Sequence, residues 1–512
     1  MDGTQFELFD GRVYEKPVRS RAERKVEVGE STKPEEREVI SGVETWDHEA
    51  DLDSISRITY SNNIPVTISL FQCSHSFRIW LLASFPHLAD PRLLRFAAFL
   101  LAHSYDFHDD LASGNDCSIL VSRKTLEQLT DYKDHSHSFR GEDFLSEFSK
   151  NIWPIVWSNF NAEAGLARKV TSQSWPRELE KHLLSELSNG DHDLVDLVTG
   201  EPKAGPDLPA DTASPVPEIE AIRQSLNSVP PELFEAIRLA VPLAREYVHG
   251  QRWSKRTKIG QLSLLRKIEM QPKPHYRAVE ATLRLYAVAG AYLALKREVR
   301  ALLTAHLWKF DIVSAQLMIA SATWDFDLSR YMVEGSVWKY ILRAMGKRTD
   351  CKELKDKIKT FMYSLLFGAS KSTLRDQAQR LGCVELMNID LVQHILRVRD
   401  DVLNRIKNCE VFPDAWGRQR QVNQVTSKKR VDARARSMMA ALCQSWELRL
   451  LQPVFQYAQA EGLEIVGLLH DGIFCHGDWE PHVDKVASLV AQAAEDLLHR
   501  HMTLEADPPR QL

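Results

Sequence analysis

The chain has 512 residues, 44% hydrophobic and 26% charged, which is ordinary for a soluble protein and enough for two or three domains with buried cores. The net charge of −5 gives no bulk sign of nucleic-acid binding, so any such role must rest on local basic patches. The seven cysteines (73, 117, 351, 383, 409, 443, 475) form no CxxC pair, which argues against a zinc ribbon or a disulfide framework and suits a reducing compartment. No apolar run approaches the roughly 20 residues that cross a bilayer. Met1-Asp2-Gly3-Thr4 opens without the basic start and apolar core of a signal peptide. A cytoplasmic protein with no membrane partner is expected.

Residues 1–60 are charged and lack apolar periodicity, as in a loosely attached or disordered tail. From about 61 to 200 apolar residues recur at helical spacing, as in Phe77-Arg78-Ile79-Trp80-Leu81-Leu82, and predict a mostly helical domain. His103, Asp106, His108, Asp109 and Asp110 suggest a metal cluster, as do His135 and His137. No i, i+4 His pair is present, so both groups read as solvated loop residues. No carboxylate pattern here supports a proofreading nuclease. Prolines 202, 206, 209, 215 and 217 mark a linker over 201–218. Amphipathic helices are expected over 218–227, 231–250 and 275–304, with a basic, polar stretch between the last two.

Residues 307–316, Leu-Trp-Lys-Phe-Asp-Ile-Val-Ser-Ala-Gln, read as an apolar strand that ends on Asp311 and turns into a helix. Residues 463–475 have the same character, with His470-Asp471-Gly472 set between apolar runs. A carboxylate within an apolar strand is costly to bury unless a positive charge compensates it. Two of them, distant in sequence, suggest one shared cation site for phosphoryl transfer. Between them, Lys355, Lys359, Tyr363 and Phe367 fall four apart and line one face of a helix that Gly368 ends. Lysines suit a triphosphate and flat rings suit bases. A basic run, Arg418 to Arg436, follows.

These residues resemble the family A DNA polymerases and the related single-subunit RNA polymerases. The matching motifs are Asp311 with Gln316 five positions on, the Lys355/Lys359/Tyr363/Phe367-Gly368 series, and Gly417-Arg418-Gln419-Arg420. Arg436 with Gln444, and His470-Asp471, complete them, over roughly residues 240–512. The resemblance implies an α+β, right-hand polymerase fold with an antiparallel palm sheet and helical fingers and thumb. The thumb would span about 219–300, the palm about 301–345 and 410–512, and the fingers about 346–410. Asp311, Asp471 and the Ile312 carbonyl would hold two Mg²⁺, with Mn²⁺ as a substitute. Lys355 and Lys359 would grip the triphosphate, with Lys359 also acting in catalysis. Tyr363 and Phe367 would stack on the nascent base pair, and Gln316 would lie beneath the nucleotide sugar. Arg418, Arg420, Arg436, Gln444 and His470 would contact primer–template.

The implied function is a nucleoid-associated, template-directed DNA polymerase without proofreading, taking dNTPs and a primer–template. The N-terminal region would be the docking surface for a replication partner. Most DNA polymerases of the family carry Glu at the Gln316 position and Tyr at the Phe367 position. Their replacement predicts a preference for dNTPs with some ribonucleotide incorporation, and Tyr363 predicts tolerance of dideoxynucleotides. The alternatives are a single-subunit RNA polymerase or primase-like enzyme, and an inactive nucleic-acid-binding scaffold. The presence of both aspartates and both lysines argues against the last.

Overall fold

The computed structural model describes residues 71–102, 118–122, 126, 129, 141–160, 167–171, 175–189, 194–202, 213–279, 283–289, 292–408, 411–421 and 431–510. The expected tail 1–60, the His103–Asp110 and His135/His137 groups, residues 203–212 of the linker, and Lys428, Lys429 and Arg430 lie outside them.

Before residue 203 the described chain alternates strands and helices: β1 (Gln72–Ser74), α1 (His75–Ser84), α2 (Pro91–Ala102), β2 (Ser118–Ser122), α3 (Gly141–Asn151), β3 (Val156–Phe160), β4 (Ala167–Thr171), α4 (Arg177–Ser188) and β5 (Leu194–Asp196). β1 pairs with β5, and β2-β4-β3 form a second sheet, all antiparallel. Among the described residues of this part helix outweighs strand, and two small sheets accompany the helices. Short runs such as Ser-Ile-Leu-Val-Ser and Val-Trp-Ser-Asn-Phe favour a pleated surface and are too short for a helix. Ser74 starts α1 by accepting the Phe77 amide at 3.1 Å. Helix α2 is buried over most of its circumference and runs through the core.

Next come α5 (Pro217–Ser228), α6 (Glu235–Leu239), α7 (Val241–Gly250), α8 (Lys255–Met270), the hairpin β6 (His275–Val279) and β7 (Arg284–Ala289), and α9 (Arg297–Leu303). Two expectations fail here. The basic stretch after Gln251 is a helix, α8, capped by Ser254 and burying Ile259, Leu262, Leu265 and Ile268 at three-residue steps. Its lysines and arginines obscure that stripe in the sequence. The helix expected over 275–304 is instead a hairpin followed by a short helix. Burial of Tyr276 and Ala278, with His275 and Arg277 less covered, has the two-residue period of a strand.

The C-terminal half holds β8 (Trp308–Ile312), α10 (Ala315–Thr323), α11 (Val337–Ala344), α12 (Lys352–Leu366), α13 (Lys371–Arg380), α14 (Asp390–Lys407), the small hairpin β9 (Phe412–Pro413) and β10 (Gln419–Arg420), α15 (Val431–Glu461), β11 (Glu464–Leu469), β12 (Gly472–His476), α16 (Val483–Leu498) and β13 (Leu504–Asp507). Four strands make one antiparallel sheet in the order β11-β12-β8-β13. On its β11 side, Tyr276 Oη accepts the Leu468 amide at 2.7 Å, and Tyr292 Oη donates to the Val466 carbonyl at 3.3 Å. Side chains thus satisfy backbone groups on a strand edge that would otherwise be open. Gly467 permits this, because a Cβ there would lie 2.3 Å from Tyr292 Oη. Buried apolar residues from Phe71 to Met502 form one continuous core cluster. Among the described residues no helix is long and apolar enough to cross a membrane.

Candidate functional site

Burial alternates along β8. Trp308, Phe310 and Ile312 face the core, so Lys309 and Asp311 share the other face. There Lys309 Nζ bonds Asp311 Oδ2, with the Asp311 side chain 39% exposed. The chain then passes through Ser314, at φ 57°, into α10. β11 and β12 are joined by two residues, His470 and Asp471, with His470 also in the left-handed region at φ 57°. Non-glycine residues seldom adopt that conformation, and here one lies three residues after Asp311 and the other directly before Asp471.

The register brings the two acids together. Gly472 faces Asp311 across β12 and β8, and the Ile312 amide donates to the Asp471 carbonyl at 3.1 Å. A Cβ on residue 472 would lie 2.1 Å from Asp311 Oδ1, so glycine leaves the space that this carboxylate occupies. Asp471 is half-buried. Its removal from water, and then the negative charges of Glu447 and Asp311, push its carboxyl up to about 7, against a partial offset from His470. The same carboxylates add to burial in raising the Tyr363 hydroxyl.

Helix α12 packs against α10, α13 and α14 and buries Ile358, Phe361, Met362, Leu365 and Leu366. Lys355, Lys359, Tyr363 and Phe367 are all half-buried and share one face at four-residue steps. Lys359 Nζ lies 5.9 Å from the Trp338 ring, whose Nε1 donates to Ser314 Oγ at 2.8 Å, so the lysine is tied to the turn after Asp311. Gly368, at φ 87°, closes the helix against Arg436: a Cβ there would meet Arg436 Cγ at 2.8 Å.

The remaining expected residues lie on β9–β10 and α15. Arg418 is half-buried, its amide held by Asp414 Oδ1 at 3.0 Å, whereas Arg420 is packed inside at 5% exposure. The turn is tied to α15 by the Ala415 amide, which donates to Ser445 Oγ at 3.2 Å beside the buried Gln444.

Two contributors escape a reading of the sequence. Glu447 on α15 is 2% exposed and pairs with Arg284 on β7, whose Nε and Nη2 donate at 2.7 and 2.8 Å. Glu447 also accepts from Gln316 Nε2. Their signal is a charge inside an apolar run, Leu283-Arg284-Leu285 and Trp446-Glu447-Leu448, which buries only with a partner. Among the described residues no group of three or more His, Cys, Asp and Glu is placed to hold a metal ion. Protein donors to a cation here would be Asp311, Asp471 and backbone carbonyls. These are hard oxygens of the type magnesium and manganese take, and the negative charge crowding Asp471 suits a cation.

No family model matches the chain, and no curated protein matches it. Among solved structures it is similar to the POL domain of Pol1 from M. smegmatis in complex with DNA primer-template and dNTP, at 14% identity and a TM-score of 0.39, over 75% of this chain and 72% of that one.

Proposed function

We propose that the chain is a template-directed DNA polymerase that adds dNTPs to a primer 3′-hydroxyl. The observation that carries this is the juxtaposition of Asp311 and Asp471 on paired strands, with Tyr363 of α12 within the field of both carboxylates. In this reading the four-stranded sheet is the palm, α12 to α14 are the fingers, and the helices after 217 are the thumb. The hairpin β6–β7 goes with the palm, since Tyr276 bonds β11. The N-terminal region remains the proposed contact for a replication partner.

Asp311, Asp471 and the Ile312 carbonyl would hold two divalent cations. When bound, these lower the pKa of the primer hydroxyl and offset charge on the leaving pyrophosphate. The chain's own residues do the rest. Lys355 and Lys359 bind the triphosphate and stabilise the charge that grows on it. Tyr363 and Phe367 offer flat apolar surfaces to the bases. Arg418, Arg436, Gln444 and His470 orient the primer–template. Lys309 holds Asp311 in place and gives way to a cation.

Primer extension with labelled nucleotides on DNA and RNA templates tests the proposal. Asp311→Ala and Asp471→Ala are each expected to abolish extension and to leave primer–template binding. Undiminished extension by either variant would remove the two-carboxylate mechanism.

A further inference from the structure

Gln316 is 8% exposed, and the two ends of its amide differ. Its Nε2 donates to Glu447 Oε1, while its Oε1 is a buried acceptor with no hydrogen-bond partner among the described residues. The asymmetry is imposed from below. A carboxylate only accepts, so Glu447 admits the amide nitrogen and turns the oxygen away. Glu447 itself cannot turn, because both its oxygens are held by Arg284 in a pair that is 9% and 2% exposed on its two sides. A buried carbonyl oxygen without a donor is costly, and a ligand that brings a polar hydrogen relieves that cost.

The place of this oxygen names the donor. Gln316 lies in the first turn of α10 five residues after Asp311, and Ser314 just before that helix bonds Trp338, whose ring lies 5.9 Å from Lys359 Nζ. A nucleoside triphosphate reacting at the two aspartates carries only acceptors on its phosphates. The donors nearest to those phosphates are the hydroxyls of its sugar.

We infer that Glu447 is a positioning residue that fixes the Gln316 amide with its oxygen toward the incoming nucleotide, where it accepts a hydrogen bond from a sugar hydroxyl. The inference rests on the polymerase reading above. It makes sugar choice depend on a residue 131 positions away in the sequence.

Single-nucleotide insertion tests it, with two arms that separate the hydroxyls. dNTP is compared with 2′,3′-dideoxy-NTP, and rNTP with 2′-deoxy-2′-fluoro-NTP, which cannot donate. In one arm the wild type is expected to favour the hydroxyl-bearing nucleotide about tenfold in kcat/KM, the order of one hydrogen bond. Gln316→Leu and Glu447→Gln should each erase that ratio, chiefly through KM. In a Gln316→Leu background Glu447→Gln should change it no further. Should Glu447→Gln fail to fold, Arg284→Met with Glu447→Met removes the pair as a unit and is expected to erase the same ratio. A ratio in both arms that survives Gln316→Leu overturns the inference, as does a Glu447→Gln effect of equal size without the Gln316 amide. A wild-type chain that extends no primer removes the polymerase reading itself, and this inference with it.

Discussion

At the scale of single residues, the site depends on an absent side chain. Gly472→Ala places a carbon where Asp311 Oδ1 sits, and the carboxylate must rotate away. Displacement of a reacting group by about 1 Å costs on the order of 10²-fold in rate. We therefore expect Gly472→Ala to lose activity of that order with a much smaller fall in melting temperature. Comparing extension rate with thermal unfolding checks this. Asp471 gives a second prediction. Its carboxyl lies at about 7 in the folded protein against an ordinary 3.8, so the native state holds the proton more tightly than the unfolded chain does. Its contribution to stability is full below about pH 3.8 and is lost as pH rises through about 7. In chelator, wild type should lose stability across that window relative to Asp471→Asn, and added magnesium should reduce the difference. Parallel denaturation profiles for the two proteins would contradict the shift.

At the scale of elements, α12 sets Lys355, Lys359, Tyr363 and Phe367 on one stripe, to which the proposed function assigns nucleotide binding. Each lysine can make a charge-assisted bond to phosphate, of about 1.5–3 kcal/mol. Lys355→Ala and Lys359→Ala should each lower kcat/KM for dNTP by about 10–100-fold, and steady-state insertion kinetics measure it. That stripe is legible in the sequence because helical period and residue chemistry coincide. So is the strand that carries Asp311, where five residues of alternating burial run into a turn. The hairpin β6–β7 is not legible. Its apolar residues are dense enough to fit either period, and tertiary bonds from Tyr276 decide between them. Helix α8 is hidden for the opposite reason, its stripe being interrupted by basic side chains. Glu447 and Arg284 are each marked locally as a charge inside an apolar run, but the partner lies 163 residues away and no local pattern says which charges pair.

At the scale of the molecule, the N-terminal part is not an appendage. Arg266 on α8 bonds Glu186 Oε1 at 2.8 Å, and Glu186 accepts both the amide and the hydroxyl of Ser74 at 2.7 Å, with Arg266 4% and Glu186 5% exposed. Arg266→Met would strand a buried carboxylate, at a cost of about 3–5 kcal/mol. One cooperative transition, shifted to lower denaturant for the whole chain, is the expected result. Two separated transitions would mean that the parts fold independently. The hydrogen bond from Ile312 to the Asp471 carbonyl has a further consequence. It makes the gap between the acidic residues a property of the main chain, set by the ~4.8 Å interval at which neighbouring strands lie. A ruler cut into the sheet in this way does not stretch when the surrounding surface drifts, so the loops and the outer helices can diverge freely while the reach across the two aspartates stays constant.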